Sequence, residues 1–514
     1  MYFAQHYLDC LSQASYLIAD ETTGRAVVVD PRRDVDEYVA DAEAHGFTVE
    51  AVVNTHFHAD FLAGHLELAA RTGAWIGYGR RAETEYEIRG LADGERISLG
   101  DVTLEILETP GHTPESISVL VYEHADDTVP YGVLTGDALF VGDVGRPDLL
   151  ASTGVTADEL GRMLHDSVQR KLMALPDEVR VFPAHGAGSA CGKNLSAERH
   201  STIGVQRATN YACAPMDVDR FVAIVTAGQG AAPGYFGYDA ELNRREHRLF
   251  DPAQAERPLS VEEFRTRRAA GAVVVDARDP QEFGAGHLRG SINVPADGRF
   301  AEQAGTVLAP DADLLVVAPA GREGETVTRL ARIGFDRVSG YLSGADAALA
   351  ALADDLVPAG RLTVHQLRAA LAGAGGVPGA GGVPGAAVAA GGDGSRGGAG
   401  EAVRTPAVVD VRSCSERAEG FIPGSLHIAL SDLPRRLDEL PADRPLVLHC
   451  AGGHRSSVAA SLLRHHGFRD VFDLLGGYGA WRAAEQAAPG EPGEPGTSAS
   501  AAASAASADR PAGA

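Results

Sequence analysis

Two parts of this chain carry residue types that could do chemistry. The first is dispersed: His56, His58 and Asp60 in "THFHAD", His112 in "TPGH", Asp137 in "LTGD" and His185 in "PAHG". Imidazoles and carboxylates are the donors that hold divalent transition metals. One histidine beyond an apolar run is most often structural, but five donors in the same local setting, His56, His58, His112, Asp137 and His185, are hard to obtain by chance. The second part is compact. "LVLHCAGGHRSS" reads as a strand ending at Cys450, a turn through Gly452 and Gly453, and a helix opening near Arg455. Turn N–H groups, a helix N-terminus and an arginine all favour an anionic sulfur, so Cys450 is the candidate nucleophile and Arg455 its partner, with Gly452 and Gly453 framing the substrate.

The dispersed donors need a scaffold. "GRAVVVD", "VEAVVNTH", "VTLEILETPGH", "YGVLTGD" and "VRVFPAHG" each read as a buried strand that stops at a polar loop. Loops at one edge of a sheet can bring such residues together. The second half repeats itself. "LSVEEFRTRRAAGAVVVDARDPQEFGAGHLRGSINVP" is echoed by "LTVHQLRAALA" and, after an interruption, "AVVDVRSCSERAEGFIPGSLHIA", and Asp276 to Gly286 spans the same interval as Asp410 to Gly420. A duplicated α/β domain around a parallel sheet is expected. The loop of the first copy, "LLVVAPAGREGE", has no thiol, and no cysteine lies between Cys213 and Cys414. That copy cannot carry sulfur covalently and reads as a spacer that positions the active copy, with partner binding as the alternative.

The Gly/Ala/Pro-rich stretch at about 372–402 lacks bulky side chains and reads as a flexible insertion within the second copy, and 488–514 reads as a disordered tail. The expected domains are therefore 1–250, 255–350 and 358–487.

Composition narrows the function classes. The chain has 514 residues, enough for several cores, and its net charge of -25 argues against nucleic-acid or anionic-membrane partners. No run approaches the roughly 18 apolar residues of a membrane span and no signal segment opens the chain, so a cytoplasmic location is expected. The five cysteines form no CxxC pair and read as reduced thiols. A homo-oligomer is left open.

With these motifs in view, the first half resembles the metallo-β-lactamase fold, and within it the persulfide dioxygenase branch of the glyoxalase II-like group. The resemblance implies an αββα sandwich followed by two further α/β domains. Two-metal hydrolases of this fold carry His-x-His-x-Asp-His, and Phe61 stands here in place of the last histidine. Losing that nitrogen implies that a second ion binds poorly or not at all. What remains offers His56, His112 and Asp137 as a two-histidine, one-carboxylate face suited to non-haem Fe(II) and oxygen chemistry. The resemblance makes these the ligands of one Fe(II) per domain, with zinc as the alternative, and His58, Asp60 and His185 their outer partners. It also implies that Arg146 in "GDVGRPDLL" grips the carboxylate of a glutathione-type substrate. The family's tyrosine two residues after the final histidine is Ala187 here, so the identity of the thiol persulfide stays open. Cys191, in that loop, is a relay thiol or an inert buried cysteine.

The duplicated half resembles rhodanese, the sulfurtransferase domain. A tyrosine-phosphatase loop also begins His-Cys and ends at Arg, but it needs Cys-x5-Arg, whereas the interval here is Cys-x4-Arg, a smaller ring that suits one sulfur atom. The combined expectation is an enzyme that oxidises a low-molecular-weight persulfide with O2 to sulfite and transfers sulfur among persulfide, sulfite and thiosulfate at Cys450. A zinc thioester hydrolase of glyoxalase II type joined to a rhodanese is the alternative. A sulfur carrier with a dead metal site is a third.

Overall fold

All five apolar runs that stop at polar residues form strands: Arg25–Val29, Thr48–Val53, Thr103–Glu108, Gly132–Gly136 and Arg180–Pro183. The computed structural model describes residues 1–149, 154–230, 232–373 and 404–487. The insertion expected at 372–402 lies almost wholly outside those residues, and the tail expected at 488–514 lies wholly outside them.

The first domain stacks two six-stranded sheets. In the first sheet Tyr2–Leu8, Gln13–Ala19, Arg25–Val29, Thr48–Val53, Trp75–Gly79 and Arg89–Leu91 lie side by side in chain order. The second runs from Ser201–Thr202 through Arg180–Pro183, Gly132–Gly136, Ile117–Tyr122 and Thr103–Glu108 to Arg96–Ser98. Strand alternation divides the side chains between two layers. Tyr16, Ile18, Val27, Val29 and Val53 meet Leu104, Ile106, Val119 and Leu134 between the sheets. Leu17, Val28 and Val52 point the other way, onto Tyr38 of the helix Asp36–His45 and Leu68 of the helix His65–Thr72. Beyond the second sheet, Leu120, Val133 and Val181 pack on Leu164 and Phe221 of the helices Ala157–Asp166 and Val218–Thr226. The result is helix, sheet, sheet, helix.

Each sequence repeat builds a five-stranded sheet with every pairing parallel. In the first, Val273–Asp276 lies between Leu314–Val317 and Ile292–Asn293. In the second, Ala407–Asp410 lies between Leu446–His449 and Leu426–His427. Gly360–Leu362 pairs with Val471–Leu474, so the strand and helix before the insertion belong to the same sheet unit as the residues after it. The two copies meet at Asn293, whose N–H donates to Ser461 Oγ and whose Oδ1 accepts from Ser457 Oγ.

The first domain and the first repeat are joined by buried charge. The Arg33 guanidinium, 1% exposed, reaches Glu67 of its own domain at 2.8 Å and Asp336 of the next at 2.5 Å, and also donates to the Ala331 and Arg248 carbonyls. A buried cation is tolerated only when it is matched this fully. Arg332 pairs with Asp34, and its carbonyl accepts from the Leu62 N–H, one residue past Phe61. The loop that carries the histidine motif is therefore held from both domains.

Candidate metal centre and sulfur-transfer loop

His56, His112 and Asp137 sit just beyond the strands Thr48–Val53, Thr103–Glu108 and Gly132–Gly136, and each offers a ligand atom within 4.8 Å of the others. All three are buried. Hydrogen bonds fix which nitrogen each imidazole presents. Thr55 Oγ1 donates its only proton to Asp30 Oδ2 at 2.9 Å, so it must accept from His56 Nδ1 at 2.9 Å. His112 Nδ1 donates to the Arg146 carbonyl at 2.9 Å. Both rings therefore turn an Nε2 lone pair towards Asp137 Oδ2, at 3.8 and 3.4 Å. Burial pushes both imidazoles below the usual histidine range, favouring the neutral, ligating form. Burial opposes ionisation of Asp137, but His185 and then His56 and His112 outweigh it and hold its carboxyl far below the usual range. His56 Nε2 and Asp137 Oδ2 are buried without a hydrogen-bond partner. Orphaned lone pairs converging on one point fit a bound cation, and these residues are the ones that would hold it.

Asp30 organises this corner, and sequence reading missed it. It ends the strand Arg25–Val29 with φ 52°, and besides Thr55 Oγ1 it accepts from the Thr55 N–H at 2.7 Å and from His58 Nε2 at 3.0 Å. The only available signal was a polar residue ending "GRAVVVD". Asp30→Ala should free Thr55 to rotate, lose the His56 tautomer and weaken metal affinity about 10- to 100-fold. A competitive chelator titration checks this, and unchanged affinity would remove Asp30 from the site.

The other predicted partners are also gathered here. His185 lies between two carboxylates, with Nδ1 2.8 Å from Asp137 and Nε2 2.8 Å from Asp60. Burial disfavours its charge, but Asp137 and Asp60 override that and raise it well above the usual range. Phe61 is fully buried, and its ring lies 4.3 Å from the His58 ring. Burying such a side chain contributes on the order of 2 kcal/mol, so Phe61 stabilises the loop as well as replacing a donor. Asn243, nearly two hundred residues away, donates to the His58 and Phe61 carbonyls and accepts from the Ala63 N–H.

The surroundings of Cys191 and Arg146 bear on the roles expected of them. Cys191 is buried and forms a second candidate metal group with Asp60 and His185, the three ligand atoms again within 4.8 Å of one another. Loss of the nitrogen at position 61 thus leaves that half of the centre with three donors, one of them a soft sulfur. Burial, followed by the charges of Asp60 and Asp137, raises the Cys191 thiol well above its usual range, which makes it a poor nucleophile by itself. Arg146 is also buried. Its guanidinium holds both oxygens of Asp148 at 2.6 and 2.8 Å and donates to the Ala190 and Gly230 carbonyls. A substrate carboxylate would have to displace Asp148, whereas the Arg146 backbone already serves the centre by anchoring His112. Gly145 allows this approach, because a Cβ there would lie 2.0 Å from the Asp137 carbonyl oxygen and 2.9 Å from His112 Nδ1.

In the last domain, Cys450 follows the strand Leu446–His449 and is buried. The Gly453 N–H donates to its Sγ at 3.1 Å, and Ser456 Oγ lies at 3.7 Å. Gly453 caps the helix His454–His465 at φ 114°, the left-handed backbone that turns its N–H onto the sulfur. Gly452 is exposed at the rim and His454 faces solvent. Arg455 is held by both oxygens of Glu416 at 2.6 and 2.7 Å, so it frames the mouth of the loop, and the hydrogen-bond partners of the sulfur are Gly453 and Ser456. Cys414 is exposed at the start of the helix Cys414–Ala418. In the first repeat the strand Leu314–Val317 is followed by Ala318, fully buried where Cys450 stands in the second.

The metallo-β-lactamase superfamily model matches residues 8–185, and the rhodanese-like domain model matches 260–350 and 398–484. A solved metallo-β-lactamase from Staphylococcus aureus is 32% identical, covers 66% of this chain and 98% of its own, and superposes with a TM-score of 0.60. A hydroxyacylglutathione hydrolase from Rhodospirillum rubrum is 30% identical over 44% of this chain and 80% of that protein. A β-lactamase hydrolase-like protein from Xylella fastidiosa is 28% identical over 42% of this chain, which spans about half (54%) of that relative's length. Among the described residues no helix is long and apolar enough to cross a membrane. The chain belongs to the metallo-β-lactamase superfamily and carries two rhodanese-like domains behind its metallo-β-lactamase domain.

Proposed function

We propose that the first domain is a non-haem Fe(II) dioxygenase that converts a low-molecular-weight thiol persulfide, such as glutathione persulfide, to sulfite, and that the last domain is a sulfurtransferase working through Cys450. The observation that carries the first half is the convergence of two Nε2 lone pairs and one carboxylate oxygen, while Phe61, against the His58 and His185 rings, puts a benzyl group where a second ion would need a nitrogen. Fe(II) bound by two histidines and a carboxylate would supply redox chemistry with open positions on one face. The surrounding residues fix the site: Asp30 and the Arg146 carbonyl set the tautomers, His185 orients Asp137, and Phe61 packs its buried ring on His58. The balanced reaction takes one persulfide anion, one O2 and one water to thiol, sulfite and a proton. The sulfane sulfur loses four electrons and dioxygen gains them.

At the other site, Cys450 thiolate would attack the outer sulfur of thiosulfate, releasing sulfite and leaving a cysteine persulfide whose charge meets the Gly453 N–H. A thiol acceptor then takes that outer sulfur as its own persulfide and frees the Cys450 thiolate; in the reverse sense a thiol persulfide loads Cys450 and sulfite carries the sulfur away as thiosulfate. The direction that clears sulfite and the direction that supplies persulfide use the same atoms.

A second reading is favoured by the group formed by Asp60, His185 and Cys191: a two-zinc thioester hydrolase of the hydroxyacylglutathione kind. An oxygen electrode separates the two. The Fe(II)-loaded chain should take up O2 with glutathione persulfide and release an equal amount of sulfite. Two zinc ions per chain with S-lactoylglutathione hydrolysis under nitrogen would overturn the dioxygenase reading.

A further inference from the structure

We propose that the cysteine-less rhodanese-like domain is part of the substrate site: Arg299 and Glu302, at the mouth of the pocket leading to Asp60, receive the carboxylate and the ammonium of a thiol persulfide built on an α-amino acid. The inference deepens the persulfide reading and rests on it for the sulfur chemistry, but the recognition it describes can be measured separately.

The pocket draws on two domains. Cys10, Asp60, Ser189 and Tyr235 line it from the first domain, and Arg299 and Glu302 from the next. These last two residues belong to the helix Phe300–Val307 and the position just before it. That helix is held tightly against the first domain. A Cβ at Gly305 would lie 2.4 to 2.8 Å from carbons of the buried Tyr235 ring, so glycine there lets helix and ring touch. The Tyr235 hydroxyl donates to the Asp60 carbonyl. Helix, Tyr235 and the histidine-motif loop form one stack, and the two charged residues are carried on it.

Charge then selects the ligand. Arg299 is 46% exposed and pairs with Glu302, whereas the Arg146 guanidinium is buried and occupied by Asp148. Arg299 is thus the cation that lines this pocket. Burial raises the Glu302 carboxyl, Arg299 opposes that rise, the negative charge of Asp60 adds to it, and Arg455 opposes it more weakly. A ligand carrying only a carboxylate would take Arg299 and strand Glu302 near Asp60. A zwitterion replaces both partners at once, with its carboxylate on the guanidinium fork and its ammonium on Glu302, leaving no charge unmatched. The pocket is narrow, so admission requires the pair to part, and a zwitterion parts it without loss of ion pairing.

Calorimetry on the metal-loaded full chain tests this with two unreactive probes, S-methylglutathione and its N-acetyl derivative, which lacks the ammonium. The wild type should bind the first at least about tenfold more tightly. Arg299→Met should weaken S-methylglutathione binding by about tenfold or more, Arg299→Lys should fall between, and Glu302→Gln should bring the two probes level. Thermal melting establishes that each variant is folded. No binding of S-methylglutathione, equal binding of the two probes to the wild type, or unchanged binding in Arg299→Met would each overturn the proposal. With oxygen uptake as a second readout, the preference for glutathione persulfide over 2-mercaptoethanol persulfide should fall in Arg299→Met. Absence of uptake from either persulfide in the wild type counts against the dioxygenase reading alone, because the calorimetry involves no turnover.

Discussion

Fe(II)-loaded His112→Ala should take up no oxygen from glutathione persulfide and should bind the ion more than about a hundredfold less tightly than the wild type, a larger loss than removal of an outer partner is expected to produce. His112 contributes one of three donors, and its Nε2 faces Asp137 Oδ2 at 3.4 Å while its Nδ1 is tied to the Arg146 carbonyl. Alanine removes the lone pair and the tie together. Two donors remain, His56 Nε2 and Asp137 Oδ2, and Asp137 is left with less cationic surrounding in a buried position. The fold should survive, because the strand Thr103–Glu108 is paired on both sides and His112 lies beyond its end. Anaerobic iron titration gives the affinity, melting reports the fold, and the oxygen electrode reports turnover. Retained uptake in a folded variant would place the reacting ion elsewhere, and the Asp60, His185 and Cys191 group would then be the next candidate.

The positions of the donors were legible in the sequence because each follows an apolar run, and a run of β-branched residues between polar punctuation has few alternatives to a buried strand. His56, His112, Asp137 and His185 could therefore be placed at strand ends, but the expectation of one sheet edge gives way to two facing sheets, with His56 at the end of a strand of the first and the other three at strand ends of the second. The duplication was equally plain, and Ala318 in place of Cys450 can be read by aligning the two loops. What stayed hidden was pairing. Asp30 looks like an ordinary strand end, and Tyr235 and Asn243 merely flank the short helix Phe236–Leu242, yet these two reach across nearly two hundred residues to grip the motif loop. Arg146 and Cys191 show the converse. Their residue types suggested roles, but burial, Asp148 and the surrounding carboxylates decide what each can do. Arg299 had no local signal at all, since it matters only because Gly305 lets its helix lie on Tyr235.

Cys450→Ser should abolish thiosulfate:thiol sulfur transfer while oxygen uptake from a free small-molecule persulfide continues at the wild-type rate. The loop is built around a sulfur: the Gly453 N–H points at Sγ, and Gly477 packs so closely that a Cβ there would lie 2.4 Å from the Cys450 carbonyl oxygen. A serine hydroxyl occupies nearly the same volume, so the loop should keep its shape, but an alkoxide is not populated near neutral pH and forms no persulfide. The expected loss is total, because the buried counterpart in the other repeat is Ala318 and no second nucleophile stands in an equivalent loop. Cyanide trapping of the persulfide, or a mass shift of one sulfur on the intact chain, should disappear with it. The centre formed by His56, His112 and Asp137 draws its ligands from a different domain, so a free substrate reaches it without Cys450. If Cys450→Ser also stopped oxygen uptake from free glutathione persulfide, sulfur would have to pass through the last domain first, and the division of labour between the two sites would be wrong. Transfer surviving the substitution would instead demand another thiol, for which the exposed Cys414 is the accessible candidate.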